Sequence, residues 1–146
     1  MPKFNYKLSL YLFFIIYFLV GLSIYKDFGV GIEEHFQRHN GFYWLNQLLS
    51  YTGFEDFKNL VNLKYQQISI VDPDLPDPIF FNFYGILFDL PLAFIEVFLN
   101  LENSKIYFEI RHLAIFLIFY ISSIFTFKIL NNRFENKFVI FLGLII

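Results

Sequence analysis

The chain of 146 residues has no cysteine, only 16% charged residues, seven glycines and two alanines. Without cysteine there can be no disulfide, no thiol nucleophile and no thiolate metal site. Charged residues make up roughly a quarter of an ordinary globular domain, so this chain carries too little polar side chain to cover a compact body in water. Eleven Lys and Arg stand against thirteen Asp and Glu, a formal net charge of −2. That leaves no broad basic face for a phosphate backbone, and nucleic acid is excluded as a partner. A glycine-rich phosphate loop, a Gly-x-Gly-x-x-Gly string and a Gly-x-Ser-x-Gly string are all missing, so soluble-type nucleotide binding has no support. What fills the space is apolar and aromatic: 57% of residues are hydrophobic, 23 are Phe and 10 are Tyr. Mean hydropathy is +0.52. A membrane is the natural solvent for such a chain, and the expected class is all-α: a polytopic transmembrane helical protein forming a single membrane domain over residues 1–146.

The first span is expected over residues 8–25, LSLYLFFIIYFLVGLSIY, which carries no charge. At 1.5 Å per residue it approaches the roughly 30 Å hydrocarbon core. A cleaved signal peptide would end in small residues, whereas Ile24-Tyr25-Lys26-Asp27 follows here. Lys3 and Lys7 precede the span and an acidic stretch follows, so the bias of basic residues to the cytoplasmic side puts the N-terminus inside. Residues 26–78 then form a large outer loop.

That loop holds Lys26, Arg38, Lys58 and Lys64 against Asp27, Glu33, Glu34, Glu55, Asp56, Asp72, Asp74 and Asp77, a net of −4. Its segments 34–51 and 54–63 mix Phe, Tyr and Leu with polar residues in the manner of short interfacial helices. Three prolines between Pro73 and Pro78 then stop any helix and mark a linker. A second span is expected over 79–101, interrupted by Asp89, Pro91 and Glu96. Asn82, Asp89 and Glu96 are spaced by seven with Gly85 and Ala93 between them, a polar, small-residue stripe that must face protein or water rather than lipid. A third span is expected at about 112–130, and residues 138–146 read as the start of a further one, as in the N-terminal part of a longer protein. If all three spans alternate, the arrangement preferred on segment length, Lys128, Arg133 and Lys137 fall outside, against the usual bias. If 79–101 only dips into the interface, they fall inside.

Several residue groups could carry chemistry. Glu33 and Glu34 lie a few residues past the first span, where a carboxylate can meet both the membrane surface and water and take a proton from an acceptor hydroxyl. The plainer role for the pair is to start a helix, where negative charge favours the N-terminal dipole. His35 and His39, four apart, would share a helix face, but the zinc-protease order of residues is absent and no third ligand is evident. Arg38 and Arg111 are boundary arginines, suited to snorkelling or to pairing with lipid phosphate. Asp72-Pro-Asp74 is a short acidic string more typical of a solvated turn than of a cation site.

Three strings occur in order: Lys-Asp-Phe-Gly-Val-Gly-Ile-Glu-Glu-His-Phe-Gln-Arg at 26–38, Phe-Tyr-Gly-Ile-Leu-Phe-Asp-Leu at 83–90 and Ile-Arg-His-Leu-Ala-Ile-Phe-Leu at 110–117. With the span that precedes them, they resemble the N-terminal part of the polyprenyl-phosphate-dependent glycosyltransferases of the GT-C class, of the protein-mannosyltransferase and aminoarabinose-transferase type. The resemblance covers nearly all of this chain and about the first third of such an enzyme. It implies transfer of a sugar from a lipid-phosphate carrier to an acceptor on the outer face of the membrane. The partners it implies are that lipid-linked donor and membrane lipids, and no metal or other cofactor is carried over. The family's first outer loop carries an Asp-Glu pair whose aspartate is the base, so Glu33 and Glu34 take the catalytic positions here. The side chain of Glu33 is one methylene longer than the family's aspartate. Arg38, Tyr84 and Arg111 fall in the matching strings as contacts to phosphate or acceptor.

Two other readings use the same residues. A small non-catalytic membrane protein could bind a partner through its acidic outer loop and pack the stripe of 82, 89 and 96 against the partner's helices. A transporter fragment could use Asp89 and Glu96 as ion or proton sites at membrane depth.

Overall fold

A computed structural model describes residues 5–71, 74, 76 and 86–145. They form six helices and, among the described residues, no strand: α1 (Tyr6–Ile24), α2 (Ile32–Leu49), α3 (Glu55–Val71), α4 (Asp89–Phe98), α5 (Ser104–Arg133) and α6 (Lys137–Ile145). The chain divides into two compact units, one of residues 1–28 with 109–146 and the other of residues 29–108. Helix α5 runs through the boundary, its first turn in the second unit and the rest in the first.

In the first unit, α1 and α5 are each long and apolar enough to cross a membrane. Asn5 caps α1 by accepting the Leu8 N–H at 3.3 Å. Along α1 only Gly21 is buried, while Tyr11, Ile15, Ile16 and Leu19 are more than half exposed. Rings fill the space between α1 and α5. Phe14 meets Tyr120 and Phe127 at centroid distances of 6.1 and 6.2 Å, and Phe18 meets Tyr120 at 5.1 Å. Further along, Tyr17 meets Phe116 at 6.0 Å, and Lys26 pairs with Glu109 at 3.8 Å. Rising numbers on α1 meet falling numbers on α5, so the two helices run antiparallel. After α5, Asn136 restarts the chain by accepting the N–H groups of Phe138 and Val139 at 3.0 and 3.4 Å. Helix α6 then packs beside α1, with Phe13 against Phe141 at 6.1 Å.

The second unit is built differently. Helices α2, α3 and α4 pack on one another around Phe42, Leu45, Leu49, Val61, Ile68, Ala93 and Val97. On α2 the inward residues 42, 45 and 49 follow helical spacing, as do 57, 61, 65 and 68 on α3. The two helices expected along the outer loop are therefore walls of a common core. The second of them extends through Val71, beyond the expected 54–63. At Gly41, a Cβ would lie 2.5 Å from the backbone oxygen of Asp89, so glycine is what lets α2 approach the start of α4.

Within the segment expected to span at 79–101, the described helix is α4, of ten residues. That is about 15 Å, half of a hydrocarbon core. Pro91 sits in its first turn, where a missing N–H costs nothing. Its end is set by Asn100, in the left-handed region at φ 47°. There the Leu101 N–H reaches back to the Glu96 carbonyl at 2.9 Å and the Asn100 N–H to the Val97 carbonyl at 3.0 Å, a Schellman closure. Of the polar stripe, Asp89, Ala93 and Glu96 are buried in this unit, while Asn82 and Gly85 lie outside the described residues. The segment of the expected third span lies at the centre of α5, whose 30 residues reach about 45 Å, long and apolar enough to cross a membrane. The start of a further span corresponds to α6.

Candidate functional site

The second unit gathers most of the candidate chemistry on and around α2. Gly31, extended at φ −73° and ψ 151°, is the last residue before the helix, and Glu33 and Glu34 occupy its first turn. The two carboxylates have different roles. One Glu34 oxygen accepts the Gly31 N–H at 3.0 Å, satisfying a backbone donor that the start of a helix otherwise leaves orphaned. Glu33 is exposed and forms no hydrogen bond or ion pair among the described residues. Its carboxylate is thus the one at this helix terminus open to a proton donor from outside.

One turn on, Arg38 is held from three sides. Its Nε and Nη2 donate to the two carboxylate oxygens of Glu96 at 2.9 and 2.5 Å, a fork-on-fork pair. Its guanidinium lies 3.9 Å from the centre of the Tyr107 ring and 5.4 Å from that of Phe42. The Glu96 side chain is only 3% exposed. The buried carboxylate is matched by a planar cation that satisfies both of its oxygens, the condition under which burying a charge is tolerable. Sequence reasoning placed Glu96 on a stripe facing protein but did not find its partner. The spacing of seven along 82–96 indicates the buried face of α4, and nothing local indicates which of the chain's basic residues meets it.

Beside this pair is a cavity of about 520 Å³ lined by Arg38, Leu60, Leu63, Lys64, Gln67, Val97, Asn100, Leu101 and Glu102. Its second cation is also engaged, since Lys64 Nζ donates to the Leu101 carbonyl at 2.5 Å. Both positive groups therefore tie α2 and α3 to α4 and the turn that follows it. An anion entering here has to displace a carboxylate or a carbonyl.

His35 and His39 both make ring contacts. His39 lies parallel to Tyr65 at 4.6 Å and 11°, and His35 meets Phe108 edge-on at 5.0 Å. Among the described residues no group of three or more His, Asp or Glu side chains is arranged to hold a metal. Of the remaining predicted site residues, Arg111 is buried on the first-unit part of α5, at 2% exposure. Tyr84 lies outside the described residues, as do Asp72 and Pro73 of the acidic string. Glu33, Glu34 and Arg38 thus lie on one helix, and Arg38 is joined by Glu96, which the sequence offered only as an ion or proton site, and by Tyr107, which it did not single out.

No protein-family model, no curated protein and no solved structure matches the chain.

Proposed function

We propose that this protein serves in membrane-bound glycosyl transfer, moving a sugar from a polyprenyl-phosphate carrier to an acceptor hydroxyl at the outer face of a bacterial inner membrane, with Glu33 as general base. The observation that carries the reading is the division of labour at the start of α2: Glu34 is committed to the backbone and Glu33 is left open to water seven residues past Lys26. In the reaction, Glu33 takes the proton of the acceptor hydroxyl as its oxygen attacks the anomeric carbon. The bond from that carbon to the phosphate oxygen breaks, and the electron pair leaves on the lipid phosphate. The Arg38–Glu96 pair would act by position, fixing α2 against α4 so that the carboxylate one turn away is held steady. Arg111 and Tyr84 remain the proposed contacts to phosphate or acceptor. The support for them is the resemblance of their strings to the GT-C class.

Topology supports the same assignment. Among the described residues only α1 and α5 have the length and apolar composition to cross, and if they are the spans, both ends of this pair fall on one side of the bilayer. Lys7, Lys128, Arg133 and Lys137 then share that side, and the acidic residues 27–77 take the other. This is the distribution that the positive-inside bias favours, and it supports a cytoplasmic N-terminus.

Replacing Glu33 by Gln in the full-length protein, in membranes supplied with polyprenyl-phosphate-linked sugar, is expected to lower transfer by about 10²–10⁴-fold, the usual contribution of a positioned base. Membrane insertion should be unchanged. Transfer at the parental rate would remove Glu33 from the mechanism.

A further inference from the structure

We infer that the apolar groove between α2, α3 and α4 is a seat for lipid acyl chains, by which residues 29–108 are anchored in the outer leaflet. The groove, about 760 Å³, runs between Leu48 on α2, Phe54 and Phe57 at the start of α3, and Phe94 and Phe98 on α4. Its one polar lining residue is Thr52, whose hydroxyl already donates to the Leu49 carbonyl at 2.9 Å. Nothing in it can select a partner by hydrogen bonding, whereas protein interfaces carry about one such bond per 100–200 Å². At its edge, Phe54 is 68% exposed, Phe98 71% and Tyr51 88%. Of these, the Tyr51 ring is amphipathic, the kind enriched where membrane meets water, while the two Phe rings are wholly apolar.

Connectivity supplies the occupant. Helix α1 ends at Ile24 and α2 begins at Ile32, so seven residues, with a reach of about 25 Å, join this unit to one membrane-length helix. Its other end continues directly into α5, the second such helix. Residues 29–108 are therefore held within reach of a bilayer surface, and lipid is the apolar phase always at hand to fill the groove. The inference rests on α1 and α5 spanning, the topology used in the proposed function, and needs nothing of the transfer chemistry. It gives the outer helices a way to hold Glu33 at a constant depth.

The absence of cysteine makes the test clean. Phe54→Cys, Phe98→Cys, Leu48→Cys, Gln66→Cys and Ile15→Cys are each labelled with a nitroxide in the full chain, in vesicles of phosphatidylcholine and phosphatidylglycerol. Collision with oxygen, which concentrates in lipid, is compared with collision with a water-soluble nickel chelate. All five positions replace side chains that do not lie in the core, and Leu48 gives a second reading of the groove from another helix. Labels at 54, 98 and 48 are expected to favour oxygen severalfold, as Ile15 does, while Gln66 favours nickel. If Ile15 favours oxygen but the groove labels favour nickel, the groove faces water and the inference is overturned. If the groove labels are shielded from both colliders, a protein covers them and the inference is equally overturned. If Ile15 itself favours nickel, the spanning topology fails and the inference falls with it.

Discussion

The two units of this chain solve the same shortage of polar residues in opposite ways. The unit of α1, α5 and α6 has few buried residues, Gly21, Ile140, Arg111 and His112 among them. Its helices meet through aromatic rings, their flanks stay open, and only Gly21 of α1 is buried. The unit of α2, α3 and α4 builds a small true core and closes it with a buried, doubly hydrogen-bonded ion pair. The first leaves long apolar outer surfaces exposed, which water cannot solvate without cost and which a bilayer would suit. The second could satisfy its backbone and charges in water, except along one groove. A bilayer should therefore decide the stability of one unit, and specific contacts that of the other.

The sharpest way to break the contrast is at Glu96. Replacing it by Ala leaves the Arg38 guanidinium, only 13% exposed, without its carboxylate. The expected cost is about 3–5 kcal/mol, the range for removing one partner of a buried pair. Thermal unfolding in detergent, followed by loss of α2–α4 contact, would measure it, and Glu96→Leu with Arg38→Met should recover most of the loss. A negligible cost for Glu96→Ala would mean that the second unit is as loosely specified as the first.

A matched pair of glycines sharpens it further. Gly41→Ala puts a methyl carbon 2.5 Å from the Asp89 backbone oxygen, and backbone cannot step aside. Overpacking of this kind costs about 1–3 kcal/mol, more than the roughly 1 kcal/mol that alanine gains over glycine in a helix. The net expectation is a destabilised protein with α2 and α4 pushed apart. At Gly21 the same change also meets an obstacle, at 1.9 Å, but this obstacle is the outer end of the Phe116 ring, which can rotate. Gly21→Ala should shift stability by less than about 1 kcal/mol, with the helix-propensity gain offsetting the repacking. Equal effects at the two positions in parallel melts would show that the first unit packs as tightly as the second.

Legibility in the sequence follows the same divide. The helix over Tyr6–Ile24 is visible through the uncharged run 8–25, because length and apolar composition sufficient to cross a bilayer are local properties over about 20 residues that no distant contact can replace. The same holds for the centre of α5, although its extension back to Ser104 is a matter of Asn103, whose side-chain oxygen accepts the Lys105 N–H at 2.9 Å. The segment 79–101 misleads for a physical reason. In its described part, the apolar residues of α4 serve a protein core and a groove, and Asn100 ends the helix with a backbone turn that a hydropathy pattern does not register. At the site, the acidic pair was readable from its place after the first span, whereas the different duties of Glu33 and Glu34 depend on which carboxylate can reach Gly31.

By itself, then, the sequence determined the apolar and aromatic character of this protein, the all-helical class, two helices of membrane length and the acidic character of the stretch between them. These are properties of local composition and period, and each can be read without knowing what lies nearby in space. The tertiary structure alone decided that the helices of residues 29–108 share a core, that α4 stops after ten residues, and that Arg38 is matched with Glu96 across 58 positions of chain. Those outcomes depend on which surfaces meet. A pairing energy between groups far apart in sequence leaves no mark on the residues around either one.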